Sequence, residues 1–238
     1  MILYYVRHGD PTYSPNALTP LGRRQAEAVA KRLAVHGIDK IFVSSSNRAV
    51  ETAQPLAQIT KLEPVILDWA NEDYAFWDMS MKDDAGNLLW VYRHREGRKL
   101  LAQDDVRTLG RKWYTHPGFA QTKCAESMER IQKEVDAFLL QLGYRHDLEH
   151  NCFLTERPNE ERVAFFAHEG MGLAILSCIL DIPYPMVSTR FDMGLSAVTA
   201  IEFCEVDGIL FPRMMTFSND SHLYREGLPT LHQGRIFY

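Results

Sequence analysis

The chain has few cysteines: Cys124, Cys152, Cys178 and Cys204, with no CxxC pair among them. That spacing argues against a zinc site and for free thiols in a reducing cytoplasm. It also has no apolar run near the roughly 20 residues that a membrane helix needs. The first residues lack a basic stretch followed by an apolar one, so no signal peptide is expected. A surplus of positive charge is missing too. The 26 Lys and Arg face 31 Asp and Glu, a net charge of −5, which argues against general nucleic-acid binding. There is no internal repeat, no low-complexity segment and no acidic cluster suited to Mg²⁺.

What is present is an ordinary globular composition, 46% hydrophobic and 24% charged over 238 residues. Such a chain can bury a large core without a disulfide or metal staple. Apolar, β-prone runs alternate with helical periodicity. Met1 to Val6 reads as a strand. Thr19 is a candidate N-cap with Pro20 at the first helical position, and Ala26, Val29, Ala30 and Leu33 recur at helical spacing up to Gly37. Lys40 to Ser44 is a second strand. A helix from about Asn47 carries Arg48, Thr52 and Leu56, with a kink or early break expected at Pro55. Val65 to Leu67 is a third short strand. A helix from about Ala125 to Leu142 presents one apolar stripe and ends at Gly143. Arg162 to Ala167 is a buried strand with a helix after it. Ala197–Phe203 and Ile209–Phe217 flank an Asp-Gly turn, which predicts an antiparallel hairpin. This alternation predicts an α/β fold, a three-layer α/β/α sandwich with a mostly parallel central sheet.

Residues 73–124 differ. They hold Trp77, Trp90, Trp113 and many charges but no sustained period, so they read as an inserted lid within a single domain spanning 1–238. Between Arg93 and Lys112 seven Lys and Arg face three acids, a local +4. This is either a surface that attracts an anionic substrate or a solvated helix face. The tryptophans either stack on a substrate ring or pack a small core.

His8, Arg48 and His168 each stand at or just past the end of an apolar strand, and a helix follows each. Ligands bind at the carboxyl ends of parallel strands, where helix N-termini favour anions. If these strands are parallel neighbours, the three side chains meet along one sheet edge. A histidine there can attack phosphorus, and arginines can hold phosphate oxygens.

Three motifs carry a family resemblance: Arg7-His8-Gly9 with Leu18-Thr19-Pro20-Leu21-Gly22 and Gln25-Ala26; Ser44-Ser45-Ser46-Asn47-Arg48-Ala49 with Glu51-Thr52-Ala53; and Phe166-Ala167-His168-Glu169-Gly170. Together they resemble the histidine phosphatase superfamily, in its phosphoglycerate-mutase-like branch. The resemblance implies that His8 is a nucleophile forming a phosphohistidine. It implies that Arg7 and Arg48 grip the phosphate, that His168 donates another hydrogen bond, and that a carboxylate after the third strand protonates the leaving alkoxide. Glu72 is the best candidate for that acid, ahead of Asp73 and Asp68. The arginine field should lower the His8 pKa and keep its lone pair available. No metal or other cofactor is expected.

The sequence departs from the family pattern in places. Many relatives have glycine directly after the second histidine, where this chain has Glu169. Its backbone N–H can bind phosphate, while its side chain adds negative charge. Asp10 stands where relatives often have Glu, Gln or Thr. The loop from Asp10 to Ala17 lacks the Trp-Asn pattern of the mutases, which favours hydrolysis. Asn16 in that loop is either a phosphate contact or a turn residue. Asn219 and His222 are weaker candidates for approach to the site. The expected activity is hydrolysis of a small-molecule or protein phosphomonoester by a cytoplasmic enzyme. A phosphomutase and a non-catalytic phosphate-binding module are the rivals.

Overall fold

The structure, a computed structural model, describes residues 1–155 and 157–231. In chain order the first elements are β1 (Ile2–Arg7), β2 (Pro11–Tyr13), β3 (Asn16–Leu18), α1 (Pro20–His36), β4 (Lys40–Ser44), α2 (Asn47–Thr60) and β5 (Val65–Leu67). Next come α3 (Glu72–Phe76), β6 (Ser80–Lys82), β7 (Leu88–Trp90), α4 (Arg95–Leu101), α5 (Asp104–Arg107), α6 (Cys124–Gln141), β8 (Arg145–Asp147) and β9 (Cys152–Leu154). The chain continues with β10 (Arg162–Ala167), α7 (Glu169–Leu180), α8 (Tyr184–Ser188), β11 (Val198–Glu202), β12 (Glu205–Val206), β13 (Ile209–Leu210), β14 (Arg213–Asn219) and α9 (Ser221–Arg225). Two compact units result: residues 1–71, 155–169 and 192–231 form the first, and 72–154 with 170–191 the second.

The first unit is built on a six-stranded sheet in the order β14-β11-β1-β10-β4-β5. β1, β10, β4 and β5 run parallel, and β11 and β14 are antiparallel to them. This is the mostly parallel sheet, flanked by helices, that the alternating pattern predicts. β10 is buried along all but its first residue, as expected of a central parallel strand covered on both faces. Val6, Val43 and Phe166 from the sheet pack with Val29 and Leu33 of α1 and with Ala49, Ala53 and Leu56 of α2.

The helix ends follow the sequence signals. The Thr19 side chain accepts a hydrogen bond from Gly22 N–H at 3.0 Å, and Gly37 closes α1 with φ 73°. α2 does not break at Pro55; it continues to Thr60. Its buried face of Thr52, Ala53 and Leu56 holds the helix against the core and outweighs the missing N–H. The first strand meets the first helix at a double-glycine contact. A Cβ on Gly9 would lie 2.7 Å from Gly22 O, and one on Gly22 would lie 2.2 Å from Asp10 O. That close approach fixes the backbone just past His8. The late hairpin forms in part: β11 pairs with β14, but the Asp207-Gly208 turn, with positive φ at both residues, closes a separate short pair, β12 with β13, so Ile209 and Leu210 do not join β11.

In the second unit, α6 buries Met128, Ile131, Val135, Phe138 and Leu139 along one stripe. Gly143, at φ 95°, follows its C-cap. Residues 73–124 contribute short strands and helices packed around aromatic side chains. Trp113 is fully buried, stacked on Tyr184 at 5.2 Å and edge-on to Phe119 at 4.7 Å. Trp90 meets Phe76 and Tyr92, whereas Trp77 is exposed. Most of the basic cluster is paired: Lys99 with Glu96, Arg107 with Asp104, Arg111 with Asp181 and Lys112 with Glu129. Of the two sequence readings of that cluster, the pairing favours the solvated face.

A buried ionic cluster pins the β8–β9 hairpin. His146 Nδ1 lies 2.7 Å from Asp136, its Nε2 lies 3.1 Å from Asp181, and the ring stacks on Phe153 at 4.2 Å. Burial alone would lower the His146 pKa. The hydrogen bonds to both carboxylates outweigh it and raise the pKa to about 9. Because the folded value exceeds the unfolded one near 6.5, the stabilisation is complete below about pH 6.5 and is lost as pH rises through about 9. The expected loss is on the order of 3 kcal/mol. Urea unfolding at pH 6 and pH 10 checks this, and His146→Gln should remove most of the difference.

Candidate active site

The site grows out of the parallel strand ends of the first unit. His8 follows β1, and its backbone N–H donates to Ala167 O at 2.9 Å. This ladder bond locks the β1 terminus beside that of β10. His168 follows β10, and its ring centroid lies 5.3 Å from that of His8. The His8 Nδ1 is 2.8 Å from its neighbour's carbonyl, Gly9 O. A carbonyl only accepts, so Nδ1 carries the proton and Nε2 keeps its lone pair. Gly9 N–H in turn donates to Thr52 Oγ1 at 3.0 Å, which ties the loop after β1 to α2.

Both rings are buried and held neutral. The His8 pKa lies well below the usual histidine value, first because of burial and then because Arg7 and Arg48 are near. The expected arginine effect is therefore present but second to desolvation. His168 is lowered in the same direction by burial, Arg48, His8 and Arg7. Its Nε2 shares a hydrogen bond with Ser44 Oγ at 2.8 Å. Its backbone is gripped by Tyr5, whose hydroxyl donates to His168 O at 2.6 Å and accepts from His168 N–H at 3.2 Å.

The arginines are held by different partners. Arg48, in the first turn of α2, donates to Ser46 Oγ at 2.9 Å and reaches Asn16 Oδ1 at 3.4 Å. Asn16 Nδ2 closes the triangle on Ser46 Oγ at 3.1 Å. Asn16 thus positions Arg48, which separates it from an idle turn residue. Arg7 commits Nη1 twice, to Met193 O and to Glu169 Oε2 at 2.9 Å. Its Nε is buried and has no hydrogen-bond partner among the described residues. A guanidinium edge left open in a buried setting calls for an oxyanion.

Glu72 opens α3 in the second unit, half-buried, and its Oε1 accepts from the backbone N–H of Gly170 at 3.0 Å. A Cβ at Gly170 would fall 2.4 Å from the Trp90 ring, so only glycine permits that contact. Asp68 and Asp73 are exposed. Asn219 and His222 have their own partners: Arg32 donates to Asn219 at 2.7 Å, and His222 Nε2 bonds Ser196 Oγ at 3.0 Å.

Sequence reading assigned no role to Tyr5, Ser44, Ser46 or Thr52. Tyr5 sat inside an apolar strand, and nothing local signals that its hydroxyl crosses to another strand's end. Ser44 and Ser46 flank the turn into α2 and were legible only as part of a motif.

Residues 3–210 match the model of the histidine phosphatase superfamily, branch 1. The chain belongs to this superfamily. A PE-PGRS family protein of Mycobacterium tuberculosis is 35% identical over 104 residues, 38% of this chain and 18% of that one. The chain therefore spans under a fifth of that relative's length. A Hydrogenobacter thermophilus protein named as a candidate phosphoserine phosphatase is 28% identical over 153 residues, 60% of this chain and 68% of that one. Among solved structures, a mutant phosphoserine phosphatase of Entamoeba histolytica in complex with phosphoserine shares the fold, with a TM-score of 0.59. It is 19% identical, and the match covers 93% of this chain and 98% of that one.

Proposed function

We propose that the protein is a metal-independent phosphomonoesterase that works through a phosphohistidine on His8. One observation carries this reading: a neutral imidazole with its Nε2 lone pair available lies among two buried guanidiniums and a second neutral imidazole. His8 Nε2 attacks phosphorus, and the P–O bond to the substrate alkoxide breaks. Arg7, Arg48 and His168 stabilise the charge on the equatorial oxygens. Glu72 gives the alkoxide its proton; its bond to Gly170, two residues after His168, supports this choice over the exposed Asp68 and Asp73. Water then attacks the phosphohistidine and returns a proton to Glu72. Orthophosphate leaves, and His8 regains its lone pair. Residues 73–124 act as the lid that restricts the substrate.

Hydrolysis is favoured over phosphoryl return because the loop from Asp10 to Ala17 carries no mutase Trp-Asn pair. The substrate is a phosphorylated small molecule. No helix of the described residues is long and apolar enough to cross a membrane, and all four cysteines are free, in keeping with a cytoplasmic setting. Purified protein should hydrolyse p-nitrophenyl phosphate in EDTA, with rates unchanged by added Mg²⁺. Phosphate binding without turnover of any phosphomonoester would instead favour the non-catalytic module.

A further inference from the structure

The Arg7–Glu169 ion pair stands where the family pattern has glycine, and it changes the charge of the site. Both partners are buried, at 4% and 5% exposure, and Nη1 meets Oε2 at 2.9 Å. Glu169 opens α7 directly after His168, so its carboxylate is fixed by the same strand end that places the ring. The pair has two consequences. It clamps Arg7 through Nη1, together with Met193 O, and so holds the Nε–Nη2 edge in one orientation. It also cancels one of the two cationic charges.

The charged and titratable groups of the first unit around this point are Arg7 from β1, His8 after it, Arg48 from α2, His168 after β10 and Glu169 from α7. Both rings are neutral and Glu72, the proton donor of the reading above, is uncharged before transfer, so the sum is one positive charge. A phosphomonoester carries one negative charge below its second pKa near 6 and two above it. In a buried site an uncompensated charge is costly, whereas a balanced one is not. A singly charged phosphoryl group leaves the site neutral, and a doubly charged one leaves it negative.

We infer that Glu169 is a specificity-determining and positioning residue that makes this pocket take the phosphomonoester in its singly charged form. This rests on the phosphomonoesterase reading above. Glu169 also accounts for the orientation of Arg7, which a glycine at this position would leave to Met193 O alone.

The test is kcat/KM for phenyl phosphate between pH 5 and 9, for the natural protein and for Glu169→Gln and Glu169→Gly. Gln keeps a hydrogen-bond acceptor for Arg7 and removes the charge; Gly removes both. The natural protein should lose about tenfold per pH unit above the second ionisation of the substrate, as the singly charged form disappears. Glu169→Gln should flatten that limb and exceed the natural protein at pH 8. Glu169→Gly should raise KM at every pH. Parallel profiles for the natural protein and Glu169→Gln would overturn the inference while leaving the phosphatase reading intact. No turnover by the natural protein would instead count against the phosphatase reading. Calorimetric binding of phenyl phosphate to His8→Ala then tests the charge preference without catalysis. Tighter binding at pH 5 than at pH 8 supports it, and equal or weaker binding at pH 5 overturns it.

Discussion

His8→Ala should lower kcat on p-nitrophenyl phosphate by about 10⁴-fold or more, the scale on which loss of a nucleophile is felt. The argument is geometric. Nδ1 is committed to Gly9 O, so Nε2 is the only ring atom able to attack. Burial and two arginines hold the ring unprotonated at neutral pH, so no proton has to leave before attack. His168 shares the neutral ring and the nearby guanidiniums. It bonds Ser44 through its Nε2, however, and accepts that role poorly. The variant should stay folded, because the backbone bonds of β1 do not involve the ring. Rapid-quench labelling with ³²P substrate should give an acid-labile phosphoprotein in the natural protein and none in the variant. Undiminished turnover by a correctly folded His8→Ala would rule out the phosphohistidine route.

Arg48→Ala should cost about 10²–10³ in kcat, the loss typical of one preorganised donor to a transition-state charge. The guanidinium reaches the site from α2, where Ser46 Oγ and Asn16 Oδ1 hold it. Asn16→Ala should give a smaller loss in the same direction, since one of two supports remains. Arg48→Lys should not rescue, because an ammonium lacks the planar fork that serves a support and a phosphate together. If Arg48→Ala changed only KM, Arg48 would be a ground-state anchor and the transition-state assignment would fall.

Much of this site is legible in the sequence because its parts are local. An apolar run that ends in Arg7-His8-Gly9 is a strand meeting a loop. Thr19-Pro20 starts a helix, and Gly37 and Gly143 end helices, for reasons contained in single residues. The early break that Pro55 suggested does not occur, because the packing of Thr52, Ala53 and Leu56 outweighs its local cost. Tyr5 was illegible for the opposite reason. Its partner lies 163 residues away, and only the β1–β10 pairing brings the hydroxyl to the His168 backbone.

The sequence by itself determined the family, the α/β alternation and the identity of the histidines and arginines. These follow from side-chain chemistry and short-range spacing, which need no coordinates. The tertiary structure alone decided which histidine nitrogen is open, that burial outranks the arginines in holding His8 neutral, and that Glu169 pairs with Arg7. Those outcomes depend on distances and solvent exclusion between strand ends far apart in the chain, and no local pattern encodes them.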